Sequence, residues 1–263
     1  MISKAYSWVG HKRLAAYRAM FFRMAGVAVF ILVWWAVAAS GVTQLVPSPK
    51  ETVTSLIVNL YAGELAHDFF STVYRTLYAF FIALVLGVPL GVLLGSNLTV
   101  YRSSEALIDF FRSTPATALF PLSLVIFGIG DFASIAVAAF AAWLVIVFNS
   151  ASGVLQSKET RKNAAKVMGA SKTRLLRDVL FLDSLPQTFV GLRVAISLCL
   201  VVIVVAEMFI GAINGIGKRI VDAQIIYDLP LMYAAILLGG ILGYALNMVF
   251  ILVEKRVIHW QGK

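Results

Sequence analysis

The chain has 263 residues, of which 60% are hydrophobic and 13% charged, and its mean hydropathy is +0.90. Soluble domains run nearer half apolar and a quarter charged, so this composition excludes an ordinary soluble domain and indicates a multi-pass membrane protein. The single Cys199 excludes an internal disulfide, three scattered histidines offer no metal cluster, and the net charge of +9 needs a positional explanation before it is read as a ligand preference.

In chain order, residues 1–23 carry five basic residues and no acidic one. No small-residue cleavage site follows, so they are not read as a removable signal peptide. The mix of Trp8, His11, Lys12, Arg13, Tyr17, Arg18, Phe21, Phe22 and Arg23 suits a short helix lying in the cytoplasmic interface. A helix needs about 20 mostly apolar residues to cross the hydrocarbon core. Six stretches qualify, at 24–40, 73–94, 106–127, 133–156, 187–210 and 231–253. Residues 24–256 therefore read as a transmembrane unit and 257–263 as a tail.

With the N-terminus inside, sixteen of the 22 basic residues fall in inner segments. Only Lys50, Arg75, Lys218 and Arg219 fall outside, and Arg112 and Arg193 lie within spans. That asymmetry predicts cytoplasmic N- and C-termini and an even number of spans. The charge is therefore an orientation signal, with no implication of nucleic acid.

The second span holds Gly87, Gly91 and Gly95 at intervals of four. Such a triplet predicts a close helix-packing seam. Charges within spans are functional candidates by default. Asp109 and Arg112 are three apart, which allows either a local ion pair or a contribution of Arg112 to an anion pathway. Asn149, Ser150 and Ser152 can line a cavity or bond neighbouring helices. Glu207 has no basic neighbour at helical spacing and must pair across helices or face water, as a gate or an interhelical bond.

Between the fourth and fifth spans, residues 157–186 form a basic loop with a helical pattern. Residues 158–168 favour a helix, with Ala164, Ala165 and Met168 on one face. Gly169 can end that helix in a left-handed conformation, Ser171 can cap a second over 172–180, and Pro186 marks the entry to the fifth span. Such a unit can enter a groove on a soluble partner or lie on anionic lipid.

The order of residues decides between these. Asn163-Ala-Ala-Lys-Val-Met-Gly169-Ala-Ser-Lys-Thr-Arg-Leu-Leu-Arg-Asp-Val179 resembles the cytoplasmic signature of ATP-binding-cassette (ABC) importer permeases. Asn163 stands where the family has Glu, and Leu182 where a closing proline is usual, although Pro186 matches a second proline. Val46-Pro-Ser-Pro49, Tyr74-Arg75, Gly87-Val-Pro-Leu-Gly91, Arg112-Ser-Thr-Pro115, Phe127-Gly-Ile-Gly130, Val205-Ala-Glu207-Met208, Gly215-Ile-Gly217 and Glu254-Lys-Arg-Val-Ile-His-Trp260 are similar to the branch serving nitrate, sulfonate, taurine and bicarbonate.

The resemblance implies an all-α membrane protein of the type I importer kind, sited in the bacterial inner membrane. It also implies a coupling helix in which Asn163, Ala164, Ala165, Met168, Gly169, Ala170 and Ser171 meet the power-supplying subunits. The implied partners are two cytoplasmic ATPases that bind ATP and magnesium, a second permease copy in a homodimer, and an external solute-binding protein. This chain itself should be no enzyme and carry no cofactor. Residues 211–219 come nearest to a phosphate-binding loop, but have one residue too many between the end glycines and Arg219 where Ser or Thr should bind magnesium. The competing class is a secondary transporter or channel that needs no ATPase; such carriers often show internal repeats, and none is evident between the two halves.

Overall fold

The computed structural model describes residues 2–41 and 45–258. The side chains of Trp8, His11, Lys12, Arg13, Tyr17 and Arg23, and the tail residues 259–263, lie outside the described set. Among the described residues the structure is helical throughout, with no strand.

Helix α1 (Ile2–Ala39) joins the expected interfacial segment and first span in one element. Its apolar part is Met24–Ala39, and Trp34 donates from Nε1 to the Pro47 carbonyl at 3.0 Å while stacking on Tyr233. Helix α2 (Pro49–Tyr61) has no counterpart among the predicted spans. It begins with a capping box: Ser48 Oγ accepts from Glu51 N at 3.2 Å and Glu51 Oε2 accepts from Ser48 N at 2.8 Å, with Pro49 opening the first turn. Those bonds hold the Glu51 carboxyl below its ordinary pKa.

Helix α3 (Leu65–Gly95) has 31 residues, longer than the predicted 73–94. At about 1.5 Å per residue it exceeds a hydrocarbon core about 30 Å thick, so its first turns emerge from the apolar layer. Helix α6 (Asp131–Leu155) packs along it. A Cβ at Gly87 would meet Ile146 Cγ2 at 2.9 Å, one at Gly91 would meet Ser150 Cβ at 2.6 Å, and one at Gly95 would meet Val154 Cβ at 2.8 Å. The offset between partners is constant, so α3 and α6 run parallel with no room for a side chain at the seam.

Two parallel helices require the chain to return between them. The return is α4 (Leu98–Ser113), a 3-10 turn (Ala116–Leu119) and α5 (Phe120–Phe127), which together are long and apolar enough for one span but are bent by 86°. The continuous helix expected over 106–127 is therefore corrected. Pro115 lacks an N–H and pushes its predecessor out of the helical region, and Thr114 lies at φ −78°, ψ 126°.

Beyond α6, α7 (Glu159–Val167) projects from the bundle. Then α8 (Lys172–Arg174), a π-helical stretch (Leu175–Leu180) and α9 (Phe181–Phe209) wind continuously as 38 residues from Lys172 to Phe209. Here too the expectation is corrected: Pro186 does not mark an entry to the span but sits inside α9. Helix α9 runs antiparallel to α6, since Cys199 Sγ meets the Ala138 carbonyl while Gln187 Nε2 meets Asn149 Oδ1. Helix α10 (Ile216–Ile225) is short, and α11 (Leu229–Val257) returns beside α9, with Arg193 to Glu254 at 3.4 Å. Among the described residues, four helices are long and apolar enough to cross a membrane, five with the bent pair. The core lies where α3, α6 and α9 meet, around Ala83, Ala142, Ile146, Ala195 and Ile196.

Candidate functional site

Three regions of the bundle carry chemistry. At the end where α6 finishes, α7 stands out with no buried residue. Its termination is chemical: Ala170 N donates to Ala165 O and Gly169 N to Lys166 O, both at 3.0 Å, while Gly169 takes φ +78°. This paired arrangement closes a helix on a left-handed residue, a conformation that disfavours any residue with a Cβ. Ser171 then caps the next turn, its Oγ accepting from Arg174 N at 3.3 Å. Asn163, Ala164, Met168, Gly169 and Ser171 are exposed, and Ala165 and Ala170 half-buried. Val167 and Met168 are 89% and 85% exposed, an apolar tip set among lysines and arginines. Lys162 bonds Glu159 at 2.9 Å and holds its carboxyl below the ordinary range.

At the opposite end, the emerging turns of α3 carry Asp68, Thr72 and Arg75 on one face, all buried. They tie down the segment between α9 and α10. Three consecutive amides are captured: Gly215 N by Asp68 Oδ1 at 2.8 Å, Ile216 N by Thr72 Oγ1 at 2.9 Å, and Gly217 N by Glu207 Oε2 at 3.0 Å. Glu207 is 0% exposed and accepts from Thr72 Oγ1 at 2.9 Å and Arg75 Nη1 at 2.7 Å. Arg75 also donates to Asp131 Oδ1 at 2.8 Å and to the Asn214 carbonyl and side chain at 2.7 Å each. Arg219 continues the network to Asp68 at 2.6 Å and Glu64 at 2.5 Å, and its hydrogen bond draws the Glu64 carboxyl below the ordinary range. The glycines are required: a Cβ at Gly215 would lie 2.3 Å from Glu207 Cδ, and one at Gly217 2.1 Å from the Val204 carbonyl.

The sequence counted Arg75 among the outer charges and left Glu207 to pair across helices or face water without naming a partner; the structure shows the interhelical pairing, with Arg75 and Thr72. Arg75 and Glu207 are 132 residues apart, and the available signal was the spacing Asp68, Thr72, Arg75 on one helical face.

The third region is a cavity of about 320 Å³ where the bend at Thr114 and Pro115 meets α6 and α9. Arg112 lines it, lying 4.0 Å over the Phe148 ring and 3.3 Å from Asp109. Phe111, Phe140, Leu144 and Leu198 supply apolar walls. Asn149 is elsewhere: its Nδ2 donates to the Val145 carbonyl at 2.8 Å and its Oδ1 accepts from Gln187 at 3.1 Å, bridging α6 and α9. Arg112, Asn149 and Glu207 thus occupy separate surroundings and form no common site.

The arrangement of parallel helices, bent return and projecting helix can now be set beside known proteins. The model of one family, binding-protein-dependent transport system inner membrane component, matches residues 87–259. The chain belongs to that family. A probable ABC transporter permease protein of Brucella abortus (strain 2308) is 32% identical over 90% of this chain and 94% of its own length. The taurine transport system permease protein of Escherichia coli (strain K12) is 25% identical over 90% of this chain and 88% of its own. The bicarbonate transport system permease protein of Synechococcus elongatus is 32% identical over 83% of this chain and 82% of its own. Among solved structures, an inward-facing MetNI methionine ABC transporter matches with a TM-score of 0.65 at 24% identity, covering 73% of this chain and 95% of that one. The family member is thus a multi-pass inner-membrane permease, all-helical and of the type I importer fold, related to the nitrate, taurine and bicarbonate branch.

Proposed function

We propose that this permease forms the membrane pathway of an ATP-driven importer of a small anion, in the class of taurine, nitrate and bicarbonate, and that α7 is its coupling helix. The observation that carries the reading is the exposed tip at Val167 and Met168, closed by Gly169 at φ +78°. A solvated, apolar-tipped helix with small residues at Ala164, Ala165 and Ala170 fits the groove of a soluble partner. Two cytoplasmic ATPases holding ATP and magnesium would seat these helices, a second copy of this chain would complete the pathway, and a solute-binding protein would deliver substrate from outside. The excess of basic residues in the segments on one side supports a cytoplasmic position for α7 and both termini. Closure of the ATPases then biases a two-state bundle by binding one state more tightly. Arg112 lines a cavity while one of its N–H groups bonds Asp109, and its guanidinium would supply positive potential for an anion there.

The test is Gly169→Glu. It places a charged Cβ-bearing residue at a left-handed position on the docking face, so the ATPase should no longer co-purify and uptake should vanish while the permease still inserts. Normal uptake by that variant overturns the assignment.

A further inference from the structure

The helix that would carry α7's motion into the bundle is soft next to its root. Residues Leu175–Leu180 wind as a π-helix, a rare widened turn that is frequent at functional sites. Farther along, Pro186 sits inside α9 and removes another ladder bond. A push applied at α7 and sent along the covalent helix would be spent bending these two points.

A second connection bypasses the first of them. Arg161, in the first turns of α7, donates from Nη1 to Oδ1 of Asp183, which lies on α9 between the π-helical stretch and Pro186. The Asp183 carboxylate is 12% exposed and the Arg161 side chain 57%, so the pair is anchored at its α9 end and open to solvent at its α7 end. Behind it, Ser157 Oγ and Asp183 Oδ2 are buried without a protein partner and border a cavity of about 280 Å³ that Lys158 and Gln187 also line. That polar space has room for water to satisfy both atoms while the pair pivots. The docking tip at Val167 and Met168 plays no part in this contact.

We infer that the Arg161–Asp183 ion pair is the strut that transmits movement of α7 to α9, with Arg161 and Asp183 as positioning residues. The inference rests on the coupling role proposed for α7. It is tested in the assembled complex with its ATPase, in proteoliposomes, using ATP with magnesium and vanadate as the probe. Spin labels at Ile129→Cys and Ile213→Cys, both exposed beyond the far ends of α5 and α9, report the distance that changes when the bundle switches.

In Asp183→Asn, which is isosteric, and in Arg161→Ala, the ATPase should still co-purify and hydrolyse ATP. The fraction of molecules that switch should fall at least about fivefold, the low end of a typical coupling energy. The exchange Arg161→Asp with Asp183→Arg should restore most of the switching. Unchanged switching in the single variants overturns the strut, as does loss of the ATPase from them, or an exchange that restores nothing. Absence of any switch in the otherwise unaltered labelled complex would instead overturn the coupling role of α7 itself.

Discussion

Replacing Glu207 by Gln tests whether the buried network at the far end of the bundle is held by charge. The carboxylate accepts three donors, from Thr72, Arg75 and Gly217, with no exposure to solvent. Gln offers one acceptor oxygen and one donor nitrogen. If the oxygen keeps Arg75, the new NH₂ faces the Gly217 amide across the 3.0 Å that now holds a hydrogen bond. Two donors then oppose each other, and the amide of Gly217 is left unpaired. A buried unsatisfied donor costs about 1–3 kcal/mol, and weakening a charge-assisted bond adds about 1 kcal/mol. Arg75 retains Asp131 and Asn214, which limits the loss. A total of about 2–4 kcal/mol corresponds to a fall of about 4–7 °C in the melting midpoint of a chain this size. The assay is thermal unfolding in detergent, followed by size-exclusion of the surviving folded protein. A midpoint within about 1 °C of the unaltered chain would refute the argument that an ionised Glu207 organises this end.

Other consequences follow from particular contacts. Gly91→Leu puts a side chain where Ser150 Cβ lies 2.6 Å away, so α3 and α6 must separate and yield of folded permease should drop sharply; normal yield would dissolve the seam. Ser48→Ala removes the cap of α2 and should cost about 1 kcal/mol, read as faster proteolysis near Pro49; unchanged cleavage would deny the cap its role. Cys199 is fully buried, so a maleimide should leave the unaltered chain unlabelled. On that background Lys158→Cys should label only from the cytoplasmic side and Ile213→Cys only from outside; the reverse pattern would invert the proposed orientation.

How much of this was legible in the sequence depended on the range of the interaction involved. The apolar runs of α3, α6, α9 and α11 follow from local composition, and the ending of α7 follows from Gly169 and Ser171, because solvation and capping act within a few residues. The 86° bend also had a local cause in Pro115, but the apolarity of 106–127 masked it: hydropathy averages over a window, and a proline's lost bond does not. Pro186 erred the opposite way, since a helix in a bundle tolerates a proline when neighbours hold it, and Gly153 packs its bare Cα against Ser184 two residues before it.

The network around Glu207 was illegible for a different reason. Its partners come from α3, α6 and the segment before α10, brought together only because α3 and α6 run parallel. Spacing on α3 alone shows that Asp68, Thr72 and Arg75 share a face, not what they face. Once the bundle is closed, a single arginine bonds Glu207 at the end of α9, Asn214 beyond it and Asp131 at the start of α6. Asp131 is 49% exposed and Glu207 not at all, so the tie to α6 is the more hydrated, and the weaker, of the two. That one hydrated ion pair does not set which helices move together, because the Gly87, Gly91 and Gly95 seam and the shared core already bind α6 to α3 and α9, and Asp183 on α9 belongs to that same packed unit.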